Sequence, residues 1–301
     1  MLCTREGLGP KSISPKSASP LRGARKGPVI ETPRLTLRPG VTLNKVPEVI
    51  AVFWVIKILA TTVGETAADY LNDTLGFGLT NTTLAMAALF VGAIVWQFRT
   101  DRYRAPVYWL TVVLISVVGT LITDNLTDAM GVPLWISTAV FSTLLLVTFA
   151  WWYHSERTLS IHSIVTRRRE MLYWLAILFT FALGTAAGDL IGEQLALGYL
   201  TSLLLFIAVI AVIAVAYWGF HINAVAAFWM AYIMTRPLGA STGDLLSQSH
   251  AHGGLGLGTT GTSAVFLTCI VALVAYLTTS RSDVQELHWH PDWDADLEGA
   301  L

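Results

Sequence analysis

Residues 174–190 read WLAILFTFALGTAAGDL, a stretch apolar enough to lie in a lipid bilayer that nevertheless closes on a carboxylate, Asp189. Its spacing decides the fold, because it recurs. Trp174 is followed by Gly184 and Asp189, and the same interval separates Trp54, Gly64 and Asp69, then Trp109, Gly119 and Asp124, then Trp229, Gly239 and Asp244. Four copies of a Trp-x9-Gly-x4-Asp pattern, with aspartates 55, 65 and 55 residues apart, make the chain a fourfold repeat, the first thing to seek in any sequence.

Composition sets what the repeat is made of. Of 301 residues, 54% are hydrophobic and 13% charged, and the mean hydropathy is +0.59, outside the range of a water-soluble domain of this length. Apolar stretches long enough to cross ~30 Å of hydrocarbon fall at 47–70, 79–98, 106–126, 134–153, 171–191, 197–220, 222–244 and 262–280. The expected fold is an all-α membrane protein with eight transmembrane helices arranged as four parallel two-helix repeats, about 46–104, 105–164, 165–221 and 222–281, within a membrane domain of residues 45–281. Each repeat holds one motif helix and one plainer apolar helix.

Charge sorts the connections. Arg99, Arg102 and Arg104 follow the second stretch, Arg157, Arg167, Arg168 and Arg169 the fourth, and Arg281 the eighth, whereas loops 71–78, 127–133, 192–196 and 245–261 contain no Lys or Arg. By the positive-inside rule both termini are cytoplasmic and the aspartates lie near the opposite face. Residues 1–44 hold eight of the 19 Lys and Arg among Pro, Ser and Gly; they read as a disordered basic tail, or as sequence ahead of a true start near Val41. Residues 282–301 read as an acidic C-terminal tail.

On a helical projection with each Trp at 0°, the motif Asp falls at about 60° and the residue four later at about 100°. Asp73, Asp128, Glu193 and Gln248 occupy that later position, and Lys57, Glu65 and Arg236 fall on the same arc. The motif helices should therefore surround a shared polar interior. Asp69, Asp124, Asp189, Asp244, Glu65, Asp73, Asp128 and Glu193 are the candidate ion-binding residues, because a carboxylate in hydrocarbon costs about 2.5–3.5 kcal/mol and is kept for a site or a specific pair. Capping at headgroup depth is the plainer reading. The motif glycines read as close helix contacts and the tryptophans as packing or interfacial anchors.

Lys57 and Arg236 sit mid-span, where each needs an acidic partner on another helix, with Glu65 nearest in depth to Arg236. Arg236-Pro237 should also interrupt its helix. His250 and His252, in a Gly-rich loop after the fourth Asp, form a His-x-His pair able to collect a metal, or a solvated loop. The two cysteines, Cys3 and Cys269, supply neither a disulfide framework nor a metal cluster. No nucleotide-binding loop, spaced Ser-His-Asp set or nucleic-acid-binding module is present, so an enzyme is not expected and no resident cofactor is called for.

The stretches KVPEVIAVFWVIKILATTVGETAADYL, LISVVGTLITDNL, YWLAILFTFALGTAAGDL, YIMTRPLGASTGDLLSQ and GGLGLGTTGTSA together resemble a family of uncharacterised bacterial multi-pass inner-membrane proteins across residues 44–280. The resemblance implies the span boundaries and a bacterial inner-membrane location, and no activity or site. From the residues themselves, the expected function is transport of a small cation, a divalent metal or one coupled to protons, since oxygen ligands suit hard cations. The alternative is a non-transporting scaffold or sensor with structural ion pairs. The lipid bilayer and a small cation are the expected partners, and a homo-oligomer is compatible with the pattern.

Overall fold

The computed structural model describes residues 44–194 and 197–284; the sequence readings for 1–43 and 285–301, and for the side chains of Glu193 and His252, lie outside the described residues. Among the described residues the long elements are α1 (Ala51–Asp69), α2 (Leu79–Arg99), α3 (Ala105–Asp124), α4 (Leu134–Glu156), α5 (Arg167–Asp189), α6 (Tyr199–Phe220), α7 (Ala224–Ser247) and α8 (Gly258–Ser280). Seven of these helices are long and apolar enough to cross a membrane. The exception is α7, which carries Arg236, Pro237 and Asp244 among Gly239, Ser241, Thr242 and Gly243.

Local sequence sets the ends, in several places differently from the hydropathy profile. The arginines 167–169, expected in a loop, form the first turn of α5, because the Thr166 hydroxyl accepts the Arg169 N–H at 3.2 Å and caps the helix there. The expected interruption at Pro237 does not occur: α7 continues to Ser247. A proline ring strips a helix of one N–H donor, and here a neighbouring helix supplies a hydroxyl donor nearby, Thr61 to the Thr235 carbonyl at 3.3 Å. Three motif helices end on their aspartates and pass straight into a π-helical turn, Tyr70–Thr74, Asn125–Ala129 and Leu190–Gln194. Bulges of this kind gather at functional sites.

The four motif helices close a cycle in which α1 packs on α3, α3 on α5, α5 on α7 and α7 on α1. Each plainer helix packs chiefly on the motif helix of the following repeat: α2 on α3, α4 on α5, α6 on α7 and α8 back on α1. The sequence repeat is therefore not the packing unit. Consecutive repeats interlock, and the last clasps the first.

The glycines explain how the inner helices approach. A Cβ on Gly64 would strike Ser116, one on Gly119 would strike Phe181, one on Gly184 would strike Arg236, and one on Gly239 would strike Thr61. In every case the obstacle is the residue three before the next repeat's glycine. One contact, used four times, closes the ring. The inner helices are consequently buried along much of their length, while α2, α4, α6 and α8 expose Leu84, Val95, Leu146, Val147, Val212, Trp218 and Val271, more apolar surface than a soluble monomer leaves open.

Candidate functional site

The ring encloses an axis, and its layers follow from positions counted relative to each motif Gly. Eleven residues before it stand Phe53, Tyr108, Tyr173 and Phe228, and each ring leans on the next repeat's tryptophan. The centroid distances are 5.5 Å for Phe53 and Trp109, 5.5 Å for Tyr108 and Trp174, 6.3 Å for Tyr173 and Trp229, and 5.7 Å for Phe228 and Trp54. These separations suit favourable edge or tilted packing. The result is an aromatic belt at the Trp end, tightened by a 2.5 Å hydrogen bond between the Tyr108 and Tyr173 hydroxyls.

Beneath the belt lies a polar clasp. Lys45 meets Glu170 at 2.7 Å, and Gln97 donates to the other Glu170 oxygen at 3.2 Å. The Tyr103 hydroxyl donates to Asp283 at 2.5 Å, while the Glu48 N–H donates to the Asp283 carbonyl at 2.9 Å. Asp283, assigned by sequence to a tail, is buried. It fastens the end of the fourth repeat to the beginning of the first.

Above the belt the repeats cease to agree. Seven residues before the Gly the series reads Lys57, Val112, Ile177, Tyr232, and three before it Thr61, Ser116, Phe181, Arg236. Both mid-span bases are fully buried. The Arg236 Nη2 donates to Glu65 at 2.8 Å, to Thr185 at 2.7 Å and to Thr120, and Nη1 donates to the Thr61 carbonyl at 3.3 Å. Glu65, Thr120 and Thr185 are the residues immediately after the motif Gly in the first three repeats. One guanidinium thus joins all four inner helices across the axis. Such a pair is held by its accessory hydrogen bonds as much as by charge, since desolvation offsets most of the attraction.

Lys57 corrects an expectation. It has no acidic partner within salt-bridge reach among the described residues; its ammonium lies 4.0 Å from the centroid of Phe181 and 4.2 Å from that of Tyr232, and no hydrogen-bond partner reaches it. Glu65, the nearest carboxylate in register among the described residues, is taken by Arg236. Two aromatic faces flank the ammonium, each contact worth about 2 kcal/mol when desolvated.

At the other end the carboxylates assemble. Asp124 feels the charges of Glu65, Asp189, Asp69 and Asp128, so α1, α3 and α5 bring theirs to one region. Asp244 holds the same place relative to its glycine in α7, and like Asp69, Asp124 and Asp189 it is partly buried. Asp73 and Asp128 stand in the π-helical turns and are exposed, with Asn72 donating to Asp73 at 2.8 Å and Thr127 to Asp128 at 3.1 Å. The His250 ring bonds back to the Gly254 carbonyl of its own loop at 3.0 Å, and among the described residues no three His, Cys, Asp or Glu side chains are placed to hold a metal.

The aromatic belt and the threonines around Arg236 escaped the sequence reading although a signal was present. Phe or Tyr precedes every motif Trp, as FW, YW, YW and FW, and Thr follows two of the four motif glycines. The Lys45–Glu170 pair had no such signal, since nothing repeats it.

Four successive segments, residues 52–103, 107–158, 172–223 and 227–283, match the family model described as Repeat of Unknown Function (DUF347). No curated protein and no solved structure matches the chain.

Proposed function

Because the chain belongs to the DUF347 repeat family, as four interlocked units around one axis, we propose that it is a multi-pass membrane transporter whose pathway is that axis, held closed. The Trp end, where the basic loops lie, faces the cytoplasm by the positive-inside rule, and the resemblance in sequence favours a bacterial inner membrane. The carboxylate end opens outward, and its oxygen ligands favour a small hard cation, a divalent metal or one moved in exchange for protons. The observation that carries the reading is Arg236 bound to Glu65 on the axis directly behind the carboxylates of α1, α3 and α5.

As it stands, the axis rejects cations. Arg236 and Lys57 place positive charge across it, the device by which pores exclude cations, and the aromatic belt seals the far end. A cation collected by the aspartates competes with Arg236 for Glu65; passage follows when the guanidinium leaves the axis. The test is flux of Mg2+, Mn2+, Ca2+ and H+ into proteoliposomes, with Asp69→Asn, Asp124→Asn, Asp189→Asn and Asp244→Asn made separately and their thermal stability recorded. Flux in the wild type that falls in stable aspartate variants supports transport. Absent flux, or flux indifferent to all four changes, removes it.

A second reading has its own observation. Arg236, on α7, is bonded to the other three inner helices, which is also what a rigid, non-transporting scaffold requires.

A further inference from the structure

The middle of the ring holds two buried bases, and one of them, Arg236, is paired with a carboxylate. Lys57 and Arg236 are both fully buried. Both approach the Phe181 ring, Lys57 at 4.0 Å and the Arg236 guanidinium carbon at 5.8 Å from its centroid. Glu65 is the nearest carboxylate in register among the described residues, and its bond goes to Arg236. The aspartates lie further out, beyond the layer of Glu65, Thr120 and Thr185.

Among the described residues, four unused hydrogen-bonding groups stand in the Lys57 and Arg236 layers, and all of them can donate; the hydroxyls of Tyr232 and Ser116 can accept as well. The Lys57 Nζ and the Arg236 Nε are buried without partners, and each can only donate. Phe181 and Tyr232 present ring faces to the ammonium, which ease its desolvation and accept no N–H in a conventional hydrogen bond. A water molecule would satisfy the donors and leave the charge uncompensated. An anion does both, and an uncompensated charge is the costlier defect in a dry interior.

We propose that the ring binds a small monovalent anion of the halide or nitrate class between Lys57 and Arg236. The inner helices offer it N–H donors from α1 and α7, and a monovalent anion costs less to desolvate there than a dianion such as sulfate. The bound anion neutralises the second mid-span base as Glu65 neutralises the first. This inference does not depend on transport, because a scaffold with the same axis needs the same counter-ion.

The experiment uses the full chain purified in detergent. Equilibrium dialysis with labelled chloride is run in a sodium gluconate background at constant ionic strength, beside thermal unfolding in gluconate, sulfate, chloride and nitrate. The expected result is saturable binding of one chloride per chain and a rise in Tm of about 3–6 °C in chloride or nitrate over gluconate and sulfate, as for a ligand well above its dissociation constant. Lys57→Met, an apolar side chain of similar length, should abolish the binding and the anion-dependent part of the Tm. No saturable chloride in the wild type overturns the site, whether or not the variant folds; chloride binding that survives in a folded Lys57→Met protein overturns its location.

Discussion

At the Trp end of the ring the four repeats do one thing four times; a few turns along the same helices they do four different things. The belt pairs an aromatic with the following repeat's tryptophan at every junction, and every motif Gly admits the side chain three before the next. At those latter positions, however, the residues are Thr61, Ser116, Phe181 and Arg236, and the one arginine reaches across the axis to Glu65, Thr120 and Thr185. Repetition builds the container. Departure from repetition supplies the chemistry inside it, so the equivalent positions should govern folding and the inequivalent ones should govern what the axis binds.

The largest effect should come from breaking the repeated contact. Gly119→Leu drives a side chain into Phe181, whose Cβ would lie 2.6 Å from the new Cβ, and a clash of that depth between two buried helices should leave little monodisperse protein after solubilisation. Gly92→Leu, on α2 where nothing lies within 4 Å, should leave yield and Tm unchanged. Equal losses at both would mean that the ring contact is not what closes the fold.

Next is the axial pair. Glu65→Ala strands the Arg236 charge and should cost about 3–5 kcal/mol, whereas Glu65→Leu with Arg236→Met should recover much of that loss, since a buried pair replaced by apolar groups is close to neutral. Thermal unfolding of the three proteins reads the difference. A harmless Glu65→Ala would show that Arg236 is not anchored there.

A smaller loss is expected at the belt. Tyr108→Phe keeps the ring against Trp174 and removes only the hydroxyl bond to Tyr173, so it should lower stability by about 1 kcal/mol, while Tyr108→Leu should cost clearly more. Similar values for the two would assign the belt to hydrogen bonding and not to aromatic packing.

The least effect belongs to the clasp. Burial pushes the Asp283 carboxyl above its ordinary value, and the Tyr103 hydroxyl bond offsets part of this. A carboxyl with a raised folded-state value adds stability that is fully present below the ordinary carboxylate range and is lost as pH rises through the raised value. The Tm advantage of wild type over Asp283→Asn should therefore shrink from acidic to neutral pH. An advantage that grows with pH would contradict the sign.

The ring's outline was legible in the sequence because a membrane helix leaves few ways to hide a period: Trp, Gly and Asp at fixed intervals register four helices against one another before any contact is known. The Arg236–Glu65 approach was legible too, since both fall on one arc at similar depth. What could not be read was the partner of Lys57, because a charge can be met by an anion or by ring faces, and Phe181 and Tyr232 look like ordinary apolar residues until the helices are set around an axis. The packing of α2, α4, α6 and α8 on the following repeat was equally hidden. Hydropathy records that a helix is apolar and not which neighbour it covers.

If the axis is a closed pathway with Arg236 as its barrier, position 120 should become reachable from the outer side when that barrier loosens. In a chain with Cys3→Ser and Cys269→Ser, Thr120→Cys places a thiol beside the guanidinium, open to a charged, membrane-impermeant thiol reagent added from the outer side. Slow labelling is expected, rising at least about tenfold when Glu65→Gln frees Arg236, the response to ~1.4 kcal/mol of gate destabilisation. No labelling in either protein, with both still folded, would mean a solid core and contradict the pathway.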